Sequence, residues 1–293
     1  MFDYNRVHAS ISALRQKQIF FVGGTPKSGT TWLQLLLDAH PSVSCSGEGH
    51  FATHLWRLLK QALDQHDGII ETNNKELFNE LEGYQRLTQE DVFYLFASCI
   101  ALVLNKQNRH KPVQAIGDKT PSNIRYLSGL AALFPSAKFI QVVRDGRDCA
   151  VSGWFHNWRN PDWAPLNRGS LSAYVTAFAE LWANDLAKAQ EFADAHPDRI
   201  VRIRYEDLTN DIQGTLAGLF RFLGIEAAET VVADCCRQAS FTKWSDGRKP
   251  GEENRLSFFR KGVAGDWRNH LNDEQNALFG KQAGNWLDRL GYS

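Results

Sequence analysis

The stretch Ile19 to Leu37, IFFVGGTPKSGTTWLQLLL, limits the fold more than any other part of the chain. Ile19 to Val22 run straight into Gly23 and Gly24 and read as a buried strand entering a tight turn. From Thr31 onward, Trp32, Leu33, Leu35, Leu36 and Leu37 fit a largely buried helix, which His40-Pro41 ends. A strand, a glycine loop and a helix in that order place backbone N–H groups at a helix start, where they can cradle an anion. Residues 28 to 31 are expected to supply those amides, and Thr30 and Thr31 add hydroxyl donors.

Gly24 and Gly29 have the G-x-x-x-x-G spacing of a phosphate loop, but an ATP site of this kind continues with Lys and then Ser or Thr. Here Thr30 and Thr31 follow, and the lysine, Lys27, stands inside the loop. So placed, Lys27 faces the group attached to a bound 5′-phosphate. The loop therefore favours a nucleotide whose reacting group hangs directly on that phosphate. Taken alone, it fits a non-catalytic anion turn or a degenerate ATPase equally well.

Two more apolar runs, Lys138 to Val143 and Ile200 to Tyr205, read as strands, and Ile212 to Leu223 as a helix closed by Gly224. Strands alternating with helices predict an α/β fold: a P-loop-like parallel sheet flanked by helices on both faces. Residues 1–293 are expected to form a single domain, with a helical insertion or lid over roughly Phe51 to Asn108. Lys+Arg and Asp+Glu both total 33, which argues against a general polyanion binder and predicts no nucleic-acid partner. The five cysteines have no metal or disulfide spacing, which suits a reducing, cytoplasmic setting. MFDYNRVHAS predicts no signal peptide. The longest apolar stretch, Val92 to Leu104, is too short for a bilayer span of roughly 20 residues.

Three segments in order carry a resemblance. PKSGTTWL (Pro26 to Leu33) resembles the 5′-phosphosulfate loop of sulfotransferases that use 3′-phosphoadenosine 5′-phosphosulfate (PAPS). VVRDGRDCAVS (Val142 to Ser152) resembles their 3′-phosphate strand–loop–helix, and FRKGVAGDWRNHL (Phe259 to Leu271) their C-terminal motif. YEDL (Tyr205 to Leu208) falls in the expected order, so the resemblance runs from about Ile19 to Leu271. It implies that Lys27, Ser28, Gly29, Thr30 and Thr31 hold the 5′-phosphosulfate. Arg144, Ser152, Arg260, Lys261 and Gly262 would hold the 3′-phosphate. Trp32 and Phe241 would enclose the adenine, with Tyr205 at its edge or bracing a strand end. Arg147 and Asp148 read as a local ion pair or helix-start residues, and Asp266 and Trp267 as structural. PAPS is the implied cosubstrate, and no metal is expected because Lys and Arg neutralise the charge.

The implied reaction moves a sulfuryl group to a hydroxyl or, less readily, an amine. Lys27 is the first choice for the stabilising cation and Lys119, in GDKTPSN, the second. Small-molecule sulfotransferases typically carry Lys-Thr-His at this point, but Pro121 follows Lys119-Thr120 here. DAHPSVSCSGEGHF (Asp38 to Phe51) resembles the tyrosylprotein and bacterial members, where an acidic residue takes the proton. Glu48 is therefore the leading base, followed by His50. Asp118 is either a base candidate or, paired with Lys119, an orienting residue, and His156 is a further base candidate. The aromatic run Trp154 to Pro165 is placed near the acceptor, and Ser245 to Arg255 reads as a mobile loop over the nucleotide. A small-molecule, carbohydrate or lipid acceptor is expected, on a monomer or homodimer. The rivals are a Mg²⁺-dependent P-loop kinase or NTPase and a non-catalytic nucleotide-binding protein of the same fold.

Overall fold

The computed structural model describes residues 3–14, 16–77, 83–107, 112–159, 162 and 169–292. Helix α1 (Tyr4–Leu14) leads to β1 (Gln18–Gly23), the loop, α2 (Thr30–Asp38) and a two-residue strand β2 (Val43–Ser44). A π-helical turn, Phe51–Leu55, opens α3 (Trp56–Glu76), followed by α4 (Gln89–Asn105) and β3 (Ala115–Lys119). A 3₁₀ turn, Pro121–Arg125, precedes α5 (Leu127–Leu133), β4 (Lys138–Val143), α6 (Gly146–Arg159), α7 (Leu171–Ala195) and β5 (Ile200–Arg204). The remainder is helical: α8 (Tyr205–Asn210), α9 (Ile212–Leu223), α10 (Glu229–Gln238), α11 (Phe241–Trp244), α12 (Asp273–Ala283) and α13 (Trp286–Arg289).

The five strands form one sheet in the order β2-β3-β1-β4-β5, and every pairing is parallel. Side chains alternate across a strand, and β1 shows how both faces fill. Phe20 and Val22 pack with α2, α9 and α10, while Ile19 and Phe21 pack with α1, α4 and α5. A third cluster joins α6, α7, α12 and α13 around Trp182 and Phe279. Parallel register brings the carboxyl ends of β1, β3, β4 and β5 to one edge, with Val22 opposite Lys119 and Val143 opposite Arg204. Ligands of open α/β sheets bind at such edges.

The expected strands and the Gly224-capped helix are present, with Tyr205 opening α8 instead of ending β5. The insertion is helical in α3 and α4, but the expected region also runs over residues 78–82 and 108, which lie outside the described residues. Between the first two apolar strands lie two further strands, β2 and β3, so that stretch builds the sheet as well as covering it. AIGDK does not read as an apolar run because it carries two buried charges and Gly117. No helix among the described residues is long and apolar enough to cross a membrane.

A Cβ at Gly117 would meet the Phe20 ring well inside contact distance. Gly117→Ala is therefore expected to lower stability by about 1–3 kcal/mol through overpacking, read as a shift in the urea midpoint. An unchanged midpoint would show that Phe20 can move aside.

Candidate active site

The loop between β1 and α2 is shaped by close backbone approach. A Cβ at Gly29, which has φ 100°, would lie 2.6 Å from the Tyr205 ring, and Gly24 backs onto the Val142 carbonyl. The Ser28 N–H donates to the Thr25 carbonyl at 3.1 Å, so it is not part of the expected cradle. The N–H groups of Gly29, Thr30 and Thr31 precede the first α2 hydrogen bonds and share its positive end, where an anion would be favoured. The Ser28 Oγ is buried with no hydrogen-bond partner.

Lys27 takes φ 73° to turn into the cleft, and its Nζ lies 4.6 Å from the centre of the Phe258 ring. Burial, then the charges of Arg159 and Arg144, push its ammonium down to about 7. His156 shares this positive surrounding. Burial, Lys27 and Arg159 push it down to about 4, so near neutral pH it is an uncharged ring and a weak proton acceptor. Arg159 donates to its Nδ1.

Lys119 ends β3 and is buried at 2% exposure. Its ammonium donates to Thr31 Oγ1 at 3.1 Å and to Glu48 Oε1. The other Glu48 oxygen lies 3.3 Å from His50 Nε2. The expected Asp118–Lys119 pair does not form, because neighbours on a strand point to opposite faces. Asp118 instead accepts from the Gly49 N–H at 2.6 Å, Thr120 Oγ1 at 2.8 Å and Asn123 Nδ2 at 2.8 Å. Burial raises its carboxyl against those bonds. Asp118 thus anchors the loop that presents Glu48 and His50.

Arg144 leaves β4 with its guanidinium 4.3 Å from the centre of the Tyr205 ring. It donates from Nη2 to the Val263 carbonyl at 2.8 Å, and its buried Nε has no partner. Arg147 and Asp148 do not pair, since adjacent helix residues do not face each other. Arg147 grips Asp145 at 2.8 Å, and Asp148 accepts from the Gly265 and Trp267 N–H groups at 2.7 and 2.9 Å. Asp148 so ties the start of α6 to the last loop.

Arg260 and Lys261 both lie 2.5 Å from Asp266, and Arg260 also pairs with Glu253. Burial alone would raise Asp266. Hydrogen bonds from Lys261, Asn269 and Arg260 instead hold it well below the usual carboxylate range. Glu253, Asp266 and His270 lie close enough to hold a metal, but Arg260 and Lys261 already neutralise those carboxylates. Gly262, φ 71°, admits Phe241: a Cβ there would lie 2.5 Å from its ring. The segment after α11, expected to be a mobile loop, is knitted by Arg248. Its guanidinium donates to the carbonyls of Ser245, Glu252, Phe259 and Arg260.

One cleft of about 1260 Å³ joins these parts. Lys27, Gly29, Thr30, Thr31, Trp32, Glu48, His50, Arg144, Ser152, Tyr205, Phe241, Arg260, Lys261 and Gly262 line it. Ser28 and Lys119 lie buried behind that wall. Trp32 is edge-on to Tyr205 at 5.6 Å and donates from Nε1 to the Ala239 carbonyl at 2.9 Å. Sequence reasoning missed Arg159, Phe258 and Arg125, which also line the cleft. No spacing marks them; Arg125 is fixed by a two-bond contact with Asp185 on α7. Of the aromatic run, residues 160–161 and 163–165 lie outside the described residues, while His156 and Asn157 line the cleft.

A cleft at the carboxyl edge of a parallel sheet, with an amide cradle and two separate cationic groups, is the site of a nucleotide-binding protein of the α/β class. The Sulfotransferase family model matches residues 19–229, and the chain belongs to that family. It is 26% identical over 235 residues to protein-tyrosine sulfotransferase 2 of Gallus gallus, covering 79% of this chain and 57% of that protein. It is 30% identical over 214 residues to protein-tyrosine sulfotransferase 1 of Danio rerio, covering 73% and 55%. The chain spans about half the length of these curated relatives. Mouse sulfotransferase SULT7A1 complexed with PAP has the same fold, with TM-score 0.54, 20% identity and coverage of 99% and 91%. Sulfotransferase STF9 from Mycobacterium avium does too, with TM-score 0.56, 12% identity and coverage of 98% and 80%.

The Lys27 shift has a measurable sign. Only the ammonium form attracts an anion, so above about 7 binding must take up a proton. The affinity for adenosine 5′-phosphate is expected to fall as pH rises from 7 to 9, by up to about tenfold per unit. Lys27→Met should bind more weakly at pH 7 and lose that slope; a slope retained in the variant would assign the proton elsewhere.

Proposed function

We propose that this chain transfers a sulfuryl group from PAPS to an acceptor hydroxyl by in-line displacement. The observation that carries the reading is that two arginines lining the cleft, Arg144 and Arg260, each hold a buried Nε without a partner, with the orphaned Ser28 Oγ behind the loop; Arg204 Nε and Trp267 Nε1, outside the lining, are also unpartnered. Buried polar groups normally find partners, and a ligand with anionic groups at both ends of its ribose supplies them. The residues fit that ligand: the amides of Gly29 to Thr31 with Lys27 for the 5′-phosphosulfate, Arg144, Ser152 and the Arg260–Gly262 turn for the 3′-phosphate. Trp32, Tyr205 and Phe241 offer aromatic surface for the base. When bound, PAPS supplies the sulfuryl group, whose bond to the 5′-phosphate oxygen breaks as the acceptor oxygen bonds to sulfur.

The chain's own residues then have separable tasks. Lys27 balances negative charge growing on the leaving phosphate oxygen. Glu48 takes the acceptor proton. Lys119, in contact with both Glu48 and Thr31, holds the base in register with the loop. His50 faces the second carboxylate oxygen and offers the proton a route to solvent. Lys27, Arg144 and Arg159 supply positive charge that magnesium supplies in a kinase, so the proposal needs no metal. The lysine inside the loop and the second cationic pocket weigh against a kinase. A reducing, cytoplasmic setting belongs to the same proposal, resting on the irregular spacing of the five cysteines.

The acceptor is proposed to be a hydroxyl of a small molecule, glycan or lipid. The names of the relatives favour one further reading, a tyrosine phenol. Labelled PAPS offered in EDTA with phenol, sugar, lipid and tyrosine-peptide acceptors tests the reaction. The expected result is metal-independent transfer to one hydroxyl class, with kcat lowered about 10²–10⁴-fold in Glu48→Gln. Magnesium-dependent turnover of ATP without sulfuryl transfer would overturn it.

A further inference from the structure

Tyr292 lies outside the cleft lining, yet it is wired to it. The residue is buried at 6% exposure, beneath the Arg204 guanidinium at 4.7 Å and beside Trp182. Its phenol O–H donates to Glu206 Oε2 at 2.8 Å. The other oxygen of Glu206 accepts from the Asp145 N–H at 3.2 Å, one residue after Arg144. A second connection starts from the Tyr292 carbonyl, which accepts from Arg147 Nη2 across 145 residues of sequence. Arg147 in turn holds both oxygens of Asp145. Two chains of hydrogen bonds therefore run from one tyrosine to the turn between β4 and α6.

We propose that Tyr292 is a positioning residue for 3′-phosphate recognition, fixing through Glu206 and Arg147 the turn that aims Arg144 into the cleft. The inference rests on the proposed PAPS site and deepens it. Arg144 is the group that needs such support. Its own contacts are to two loop carbonyls, Val263 at 2.8 Å and Lys27 at 3.4 Å, and to Asp148 at 3.5 Å. Glu206 is well placed to transmit the constraint, because it follows Tyr205, whose ring supports the same guanidinium. One short helix start thus meets Arg144 with its ring and the Asp145 amide beside it with its carboxylate. Removing the phenol oxygen leaves the Glu206 oxygen facing only Arg204 at 3.9 Å, and Glu206 is then able to turn away from Asp145.

Tyr292→Phe keeps the ring and its packing and deletes only the O–H. The test is calorimetric titration with adenosine 3′,5′-bisphosphate and adenosine 5′-phosphate, which differ only in the 3′-phosphate. In Tyr292→Phe the bisphosphate is expected to bind about tenfold more weakly, with the monophosphate within about twofold of wild type. Glu206→Ala should show the same selective loss, and the double variant should lose no more than the larger single effect. In the ligand-free protein the Asp145 amide should exchange faster in both variants. Equal weakening of the two nucleotides, or no change in either, overturns the positioning role. A wild-type protein that does not distinguish the nucleotides sinks the PAPS reading instead, and an Asp145 amide that then exchanges unchanged in Tyr292→Phe sinks the coupling as well.

Discussion

Bringing Lys27, Arg144 and Arg159 to one cleft is the constraint that the surrounding structure answers. Like charges at a partly dry strand edge repel, and Lys27, lowered first by burial and then by Arg159 and Arg144, falls to about 7. Carboxylates restrain the neighbourhood without filling it. Asp148 faces Arg144 but spends its oxygens on the backbone of the last loop. Asp266 takes Arg260 and Lys261, while Glu48 takes Lys119. Lys27 and Arg144, whose Nε has no hydrogen-bond partner, line the cleft, while the orphaned Ser28 hydroxyl sits behind its wall.

The same arrangement explains how acid–base and electrostatic tasks can be kept apart. Lys119 is behind the wall and engaged with Glu48, whereas Lys27 is on the wall beneath Phe258. Two lysines that look alike in sequence are thus proposed to serve different ends, one holding a base and the other meeting a leaving group. His156, lowered to about 4 by burial and then by Lys27 and Arg159, is poorly suited to accept a proton there, which favours Glu48.

Much of the fold was legible because β1, β4 and β5 are apolar runs and α9 ends at a glycine with φ 73°. β3 was hidden: Asp118 and Lys119 are buried charges, and a pattern search rejects charged residues from a core strand. β2 is only two residues long. The loop, Arg144 and the Arg260–Gly262 turn were found through their motifs and do converge on one cleft. The pairings were not legible. Asp118 with Lys119 and Arg147 with Asp148 are adjacent in sequence, and strand and helix geometry separates both. Lys119 with Glu48, Arg260 with Asp266 and Tyr292 with Glu206 depend on tertiary contacts that no local spacing records.

The second cationic pocket is proposed to recognise a 3′-phosphate. Calorimetry in EDTA, comparing adenosine 3′,5′-bisphosphate with ADP on wild type and Arg144→Ala, tests it most directly. Metal-independent binding that favours the bisphosphate, with that preference lost in the variant, is the expected result. Tighter binding of ADP, or binding that requires Mg²⁺, would contradict it and return the loop to the kinases.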